Sequence, residues 1–127
     1  KTTQSQRVSF YLMNFEEEVR QLSQEIAKIY RERQGTKFQL RNEELEKNCL
    51  KAAPNNADDY VKCRNKIAKN FEFNDKMAFF KLDFFRKKAI MCMRKNEKSK
   101  EDFEACKTNA YESSRGVMKD LYNSLNQ

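Results

Sequence analysis

The sequence contains no histidine and no tryptophan, and it has only two glycines and one proline in 127 residues. Because sandwiches, barrels and doubly wound sheets need many Gly- and Pro-rich turns, this composition argues against all three. The lack of histidine removes Ser-His-Asp triads, histidine acid–base catalysis and most catalytic zinc sites. The chain also lacks a Gly-rich phosphate loop and an apolar run long enough to cross a bilayer. We therefore expect one domain that is not an enzyme, with no metal, no cofactor and no transmembrane segment.

The charge is high but mixed in sign. The 26 Lys and Arg residues exceed the 19 Asp and Glu residues, which gives a net charge of +7 and a pI near 9.3. The acidic residues are interspersed among the basic ones, so most charges are expected on solvated helix faces, and nucleic-acid binding is not expected. An acidic protein surface or an anionic lipid surface remains a candidate partner.

The N-terminal part of the chain carries a heptad pattern, with apolar residues at alternating spacings of 4 and 3. The pattern predicts a helix over residues 8–34 that stops at Gly35. Two interpretations stay open, a stripe that faces the core of the same domain or a seam for a partner helix. The residues of the pattern are Val8, Leu12, Phe15, Val19, Leu22, Ile26 and Ile29.

Three further helices are predicted, over residues 37–51, 57–95 and 100–121. Pro54 ends the first of them because the residue before a proline avoids helical geometry. The second contains no Gly or Pro and would extend for about 58 Å at 1.5 Å per residue. The fold class is therefore all-α, with helical hairpins or a bundle around one long central helix. We expect a single domain over residues 1–127, with the heptad helix in 1–35 and the hairpins in 37–123.

The four cysteines form two pairs with the same spacing. Thirteen residues separate Cys49 from Cys63 and also Cys92 from Cys106, and a shift of 43 positions superimposes the pairs. In each pair a helix cap, two acidic residues and an aromatic residue precede the second cysteine, which suggests the same turn used twice. Three interpretations of the four cysteines are open: ligands of a zinc ion, four reduced thiols, or two disulfides. The geometry of an antiparallel hairpin favours disulfides Cys49–Cys63 and Cys92–Cys106.

Paired cysteines at equal spacing on helices, Cys49-x13-Cys63 and Cys92-x13-Cys106, resemble those of the twin CXnC, or coiled-coil-helix-coiled-coil-helix, proteins. The spacing here is longer than in most members of that family. The resemblance implies helical hairpins that are oxidised in the mitochondrial intermembrane space. It also implies an accessory subunit or assembly factor of a respiratory-chain complex.

The predicted central helix has two apolar stripes on nearly opposite sides. The first carries Cys92 and has Cys63 beside it, so the neighbouring helices should fold onto it, end to end. The second is either covered by the N-terminal helix or left as a docking face for other subunits. The first stripe consists of Ile67, Phe71, Ala78, Leu82, Phe85, Ala89 and Cys92. The second consists of Phe73, Met77, Phe80, Phe84 and Met91, of which we predict the first four as partner-binding residues.

These observations lead us to expect a non-catalytic helical scaffold within a larger assembly. The resemblance places this scaffold on the intermembrane-space side of a mitochondrial membrane complex, associated with the inner membrane. Its expected partners are other protein subunits of that complex. A soluble carrier or chaperone in that compartment is the alternative. A secreted helical carrier or effector, held by the same disulfides, is another.

Overall fold

A computed structural model describes residues 4–125, with side chains from Asn14 to Leu125. Within that range every regular element is helical, which confirms the predicted all-α class with a long central helix. One short 3-10 turn joins the first two helices. The elements are α1 (Gln4–Tyr30), the 3-10 turn (Arg31–Gln34), α2 (Thr36–Ala52), α3 (Ala57–Lys95) and α4 (Lys100–Ser124).

The starts of α3 and α4 are capped in the same way. The side chain of Asn56 accepts a hydrogen bond from the Asp59 amide at 3.2 Å, and the Ser99 hydroxyl accepts one from the Asp102 amide at 3.4 Å. Two acidic residues lie in the first turn of each helix, where they interact favourably with the helix dipole. Both helices therefore begin where the cap residues predict.

The end of α1 differs from the prediction. The α-helical part stops at Tyr30, and the last four predicted residues form a 3-10 turn instead. Gly35 then leaves the helix with an extended backbone (φ −83°, ψ 177°), and its amide donates to the Glu32 carbonyl at 2.9 Å. A Cβ at this position would lie 3.1 Å from that carbonyl oxygen. Glycine allows this close approach.

Two helices cover α3 end to end, as the first apolar stripe predicts. α2 runs back along the N-terminal half of α3, and α4 runs back along the C-terminal half. Their free ends meet near the middle of α3, where the Phe38 and Tyr122 rings pack edge to face at 5.3 Å. There the Asn70 side chain of α3 donates to the Ser124 carbonyl at 3.4 Å.

α1 lies in the groove between α3 and α4, antiparallel to α3. Near the end of α1, the Tyr30 hydroxyl donates to Asp75 at 2.9 Å. Towards its start, the Phe15 and Phe103 rings are 6.4 Å apart. Between α1 and α4, Lys107 donates to Glu18 at 2.6 Å. The C-terminal half of α3 is thus part of a three-helix bundle.

The hydrophobic core belongs mainly to this bundle. In α1 the heptad residues Phe15, Leu22, Ile26 and Ile29 are buried, which confirms the core-facing interpretation for them, while the side chains of Val8 and Leu12 lie outside the described residues. The partner-helix interpretation is wrong for the buried four. Small residues on α3 and α4 allow the helices to approach closely. The buried set from α3 and α4 is Ala78, Leu82, Ala89, Met93, Cys106, Ala110, Ser114, Val117, Met118 and Leu121.

The N-terminal half of α3 is packed much more thinly. Between residues 57 and 77 no α3 side chain is fully buried, and α2 contributes Phe38 and Cys49 as its buried residues. Leu45 and Phe71 are partly buried against the core. Before Asn70, which contacts α4, and Asp75, which contacts α1, this half is a two-helix hairpin with one side open to solvent.

Candidate functional site

Two disulfides close the two turns. Cys49 and Cys63 are joined with an S–S distance of 2.01 Å and a Cα–Cα distance of 5.7 Å. Cys92 and Cys106 are joined with corresponding distances of 1.96 and 5.8 Å. The predicted pairing is therefore confirmed, and zinc ligation and four reduced thiols are wrong because no cysteine is free. Each bridge fixes the two helices that flank its turn.

The second disulfide has a polar neighbour that the sequence did not reveal. The Asn96 side-chain amide donates to the Cys92 carbonyl at 2.8 Å. The same nitrogen lies 3.8 Å from the sulfur atoms of both Cys92 and Cys106. Asn96 thus ties the last turn of α3 to the disulfide, because its side-chain amide and its backbone amide both donate to the Cys92 carbonyl, the backbone amide at 3.1 Å. The role is structural.

The second apolar stripe of α3 is exposed along its whole length. We call it the aromatic stripe. Its five side chains fall within about 60° of the helix circumference at 3.6 residues per turn, on the side of α3 away from α1 and α4. Exposed apolar groups in a continuous row are typical of interaction surfaces. The exposed fractions are Phe73 65%, Met77 43%, Phe80 54%, Phe84 58% and Met91 64%.

The interpretation in which α1 covers the aromatic stripe is wrong. α1 lies on another side of α3, where Tyr30 contacts the ring of Phe79 at 5.8 Å and hydrogen-bonds to Asp75. The groove between α3 and α4 offers α1 two surfaces at once, so more apolar area is buried there than on the stripe alone. The structure therefore brings Phe73, Met77, Phe80 and Phe84 together on one free face, and their partner-binding role stays a prediction.

The flanks of the aromatic stripe are rich in lysine. Lys76, Lys81, Lys88 and Lys95 are all exposed, and none of them forms an ion pair among residues 14–125. The Lys88 ammonium lies 5.9 Å from the centre of the Phe84 ring. The ring face attracts this cation. The surface is apolar along its middle, with Lys81, Lys88 and Lys95 along one side and Lys76 along the other.

One carboxylate lies in these flanks, and it is already engaged. Asp83 accepts a hydrogen bond from Arg86 at 3.1 Å and pairs with Lys87 at 3.0 Å. Hydrogen bonds from Lys87 and Arg86 lower the pKa of Asp83. Its negative charge is thus balanced within α3, which leaves the four lysines as the main charges that an approaching molecule would meet.

A cleft between α1 and α3 adds a second apolar feature that sequence patterns did not predict. It has a volume of about 320 Å³ and is lined by Ile26, Ala27, Tyr30, Phe79 and Leu82, among others. Phe79 is half exposed at its edge. The cleft exists only because two helices distant in sequence meet, so a single-helix pattern carries no signal for it.

No helix among the described residues is long and apolar enough to span a membrane. Comparison with known proteins found no protein family, no curated protein and no solved structure that matches this chain. What the structure supports of the twin CXnC resemblance is the coarse feature, helical hairpins closed by two disulfides.

Proposed function

We propose that this protein is a non-catalytic helical scaffold that binds another protein through the aromatic stripe of α3. The observation that carries the proposal is the row of exposed Phe and Met side chains on a helix whose opposite side packs against α1 and α4. Exposing these groups to water costs free energy, and a partner that covers them recovers it. Aromatic side chains are also enriched among the residues that contribute most to binding.

The two disulfides suit this role because they hold the stripe in one shape. Along α3, Cys63 precedes the stripe and Cys92 follows it, so a disulfide lies near each end of the stripe. A helix that is fixed before binding loses less conformational entropy when a partner docks. The bundle formed by α1, α3 and α4 supports the same helix from behind.

The compartment we propose is the mitochondrial intermembrane space, on the surface of an inner-membrane complex of the respiratory chain. Two disulfides favour an oxidising compartment, and the equally spaced cysteine pairs resemble those of intermembrane-space proteins. Secretion is the alternative, since a secreted helical effector would be stabilised by the same bridges. Fractionation of cells expressing the full chain, with protease treatment of mitochondria before and after outer-membrane rupture, distinguishes the two. Recovery in the medium would contradict the mitochondrial proposal.

The binding proposal is tested by site-specific photo-cross-linking. A photoreactive phenylalanine analogue replaces Phe84 on the stripe in one protein and Val61 in a control, because both positions are about equally exposed and Val61 lies outside the stripe. The proposal expects one protein to be cross-linked from position 84 and not from position 61. The affinity of that protein for the unlabelled chain is then measured directly.

Two double variants decide the outcome of this measurement. Phe80→Ala with Phe84→Ala removes the centre of the stripe, and we expect the affinity to fall about tenfold or more. Leu50→Ala with Val61→Ala removes similarly exposed apolar side chains elsewhere, and we expect no change. Equal affinities for both double variants would contradict the proposal.

A further inference from the structure

The aromatic stripe follows the spacing of a coiled-coil seam. Continued through Lys87, its positions are separated by 4, 3, 4, 3 and 4 residues, and the seam extends for about 27 Å at 1.5 Å per residue. A strict repeat of this kind gives a narrow row of side chains that fits between the side chains of one facing helix. A helix that lies flat in a bilayer interface needs a wider apolar face. The seam consists of Phe73, Met77, Phe80, Phe84, Lys87 and Met91.

The residues on both sides of the seam indicate the charge of that facing helix. Lys76, Lys81, Lys88 and Lys95 occupy the positions that interact with the flanks of a coiled-coil partner. Asp83, the acidic residue among these positions, is paired with Arg86 and Lys87 within α3. A second copy of this chain would bring lysine against lysine. A partner with Glu or Asp in its flanks would be attracted instead.

From this arrangement we infer that the aromatic stripe binds an acidic amphipathic α-helix of a partner protein as a two-stranded coiled coil. The partner helix carries an apolar heptad seam, Glu or Asp on the flank that faces Lys81, Lys88 and Lys95, and an acidic or polar residue opposite Lys87. Lys87 is paired with Asp83 on its own helix, and a polar residue within an apolar seam favours the one register in which the facing residue is also polar. This inference rests on the proposed function and specifies the chemistry of the partner.

The inference is tested with two helical peptides of three heptads. Both have Leu at the seam positions and one Glu placed to face Lys87. One carries Glu on its flanks, and the other carries Lys. Binding to the oxidised full chain is measured by fluorescence anisotropy. We expect the Glu-flanked peptide to bind about tenfold or more tightly than the Lys-flanked one, since like charges across an interface are unfavourable. We also expect the difference to shrink at high salt.

Charge reversal provides the matched control. In the double variant Lys81→Glu with Lys88→Glu, we expect the preference to invert toward the Lys-flanked peptide. The double variant Lys47→Glu with Lys51→Glu changes the net charge equally on exposed positions of α2, and it should keep the original preference. An inverted preference in both variants would overturn the inference, because net charge and not the seam would then set the selectivity.

The remaining outcomes separate this inference from the proposed function. If both peptides bind equally and Phe80→Ala with Phe84→Ala weakens both, the acidic partner is wrong while docking on the stripe stands. If neither peptide binds, but vesicles of phosphatidylcholine and phosphatidylserine bind with the same Phe dependence, the occupant is a lipid surface and both proposals fail. If neither peptides nor vesicles bind, the inference is overturned, and cross-linking from position 84 decides on the proposed function.

Discussion

Each half of α3 adjoins a capped turn closed by a disulfide, but the two halves differ in the helices that pack around them. The N-terminal half is preceded by a capped turn with the Cys49–Cys63 bridge, and α2 is its main neighbour. The C-terminal half is followed by a capped turn with the Cys92–Cys106 bridge, and both α1 and α4 pack on it. The same kind of capped, disulfide-closed turn therefore occurs in two environments, and its contribution to stability depends on how many helices pack around it.

The difference follows from where apolar area is buried. The three-helix half contains all four fully buried residues of α3, and burial of each large apolar side chain contributes about 1.5–3 kcal/mol. The two-helix half has no fully buried α3 side chain. There the disulfide supplies a larger share of the stabilising free energy, because a closed loop of this length contributes about 3 kcal/mol on chain-entropy grounds.

The largest effect is expected from Leu22→Ala in the three-helix half. Leu22 is fully buried, so the free energy of unfolding should fall by about 4 kcal/mol through lost burial and a cavity. The matched change in the two-helix half is Leu45→Ala, where the side chain is partly buried, and about 1 kcal/mol is expected. Urea unfolding followed by circular dichroism measures both. Equal losses would refute the contrast between the halves.

The disulfides give the next largest effect, and they test the contrast most directly. Replacing either cysteine pair with serine removes about 3 kcal/mol on chain-entropy grounds. Without Cys49–Cys63, we expect α2 to open locally and its amides to exchange hydrogen faster than those of α1 and α4. Without Cys92–Cys106, α4 should stay protected because α1 still packs on it. Fast exchange confined to α4 in the second variant would reverse this ranking.

The helix caps should have equal effects in the two halves. Asn56→Ala and Ser99→Ala each remove one side-chain acceptor from a helix start, and each should cost about 1 kcal/mol. Capping acts on the first turn and does not depend on the number of packed helices. Serine at position 56 and asparagine at 99 are controls that should retain most of the stability. A cap effect found at one helix only would show that packing controls capping here.

The smallest effect on stability is expected on the aromatic stripe. Phe80→Ala with Phe84→Ala should change the free energy of unfolding by no more than about 0.5 kcal/mol, since both rings are more than half exposed and surface changes have small effects. Phe38→Ala removes a buried ring and should cost about 3 kcal/mol. Thermal unfolding of the oxidised variants compares them. A large loss from the stripe variant would mean that these rings stabilise the fold.

Local chemistry explains which parts of the structure were predictable. The boundaries of α3 at 57 and 95 followed from the caps Asn56 and Ser99 and from the absence of Gly and Pro between them. The disulfide pairing followed from equal spacing across two antiparallel turns. In both cases the interacting residues lie close in sequence, so a pattern in the chain carries the information.

The position of α1 was not predictable, because it depends on contacts between distant residues. Both sides of α3 are apolar, and the choice between them was decided by the groove that α4 completes. The pairs that fix α1 there, Tyr30 with Asp75 and Lys107 with Glu18, are 45 and 89 residues apart. Burial acts to lower the pKa of Lys107, but hydrogen bonds to Glu18 and Glu104 outweigh it, and the pKa is raised. The ammonium therefore stays charged at neutral pH.

The placement of the two disulfides has a consequence for the scale of any assembly. Cys63 and Cys92 are 29 positions apart on one unbroken helix, which corresponds to about 44 Å. Each covalent link joins α3 to a neighbouring helix close to one of its ends and opposes local unwinding there. α3 is thus a rigid helix held near both ends. Two molecules bound along it would be kept at a constant distance from each other.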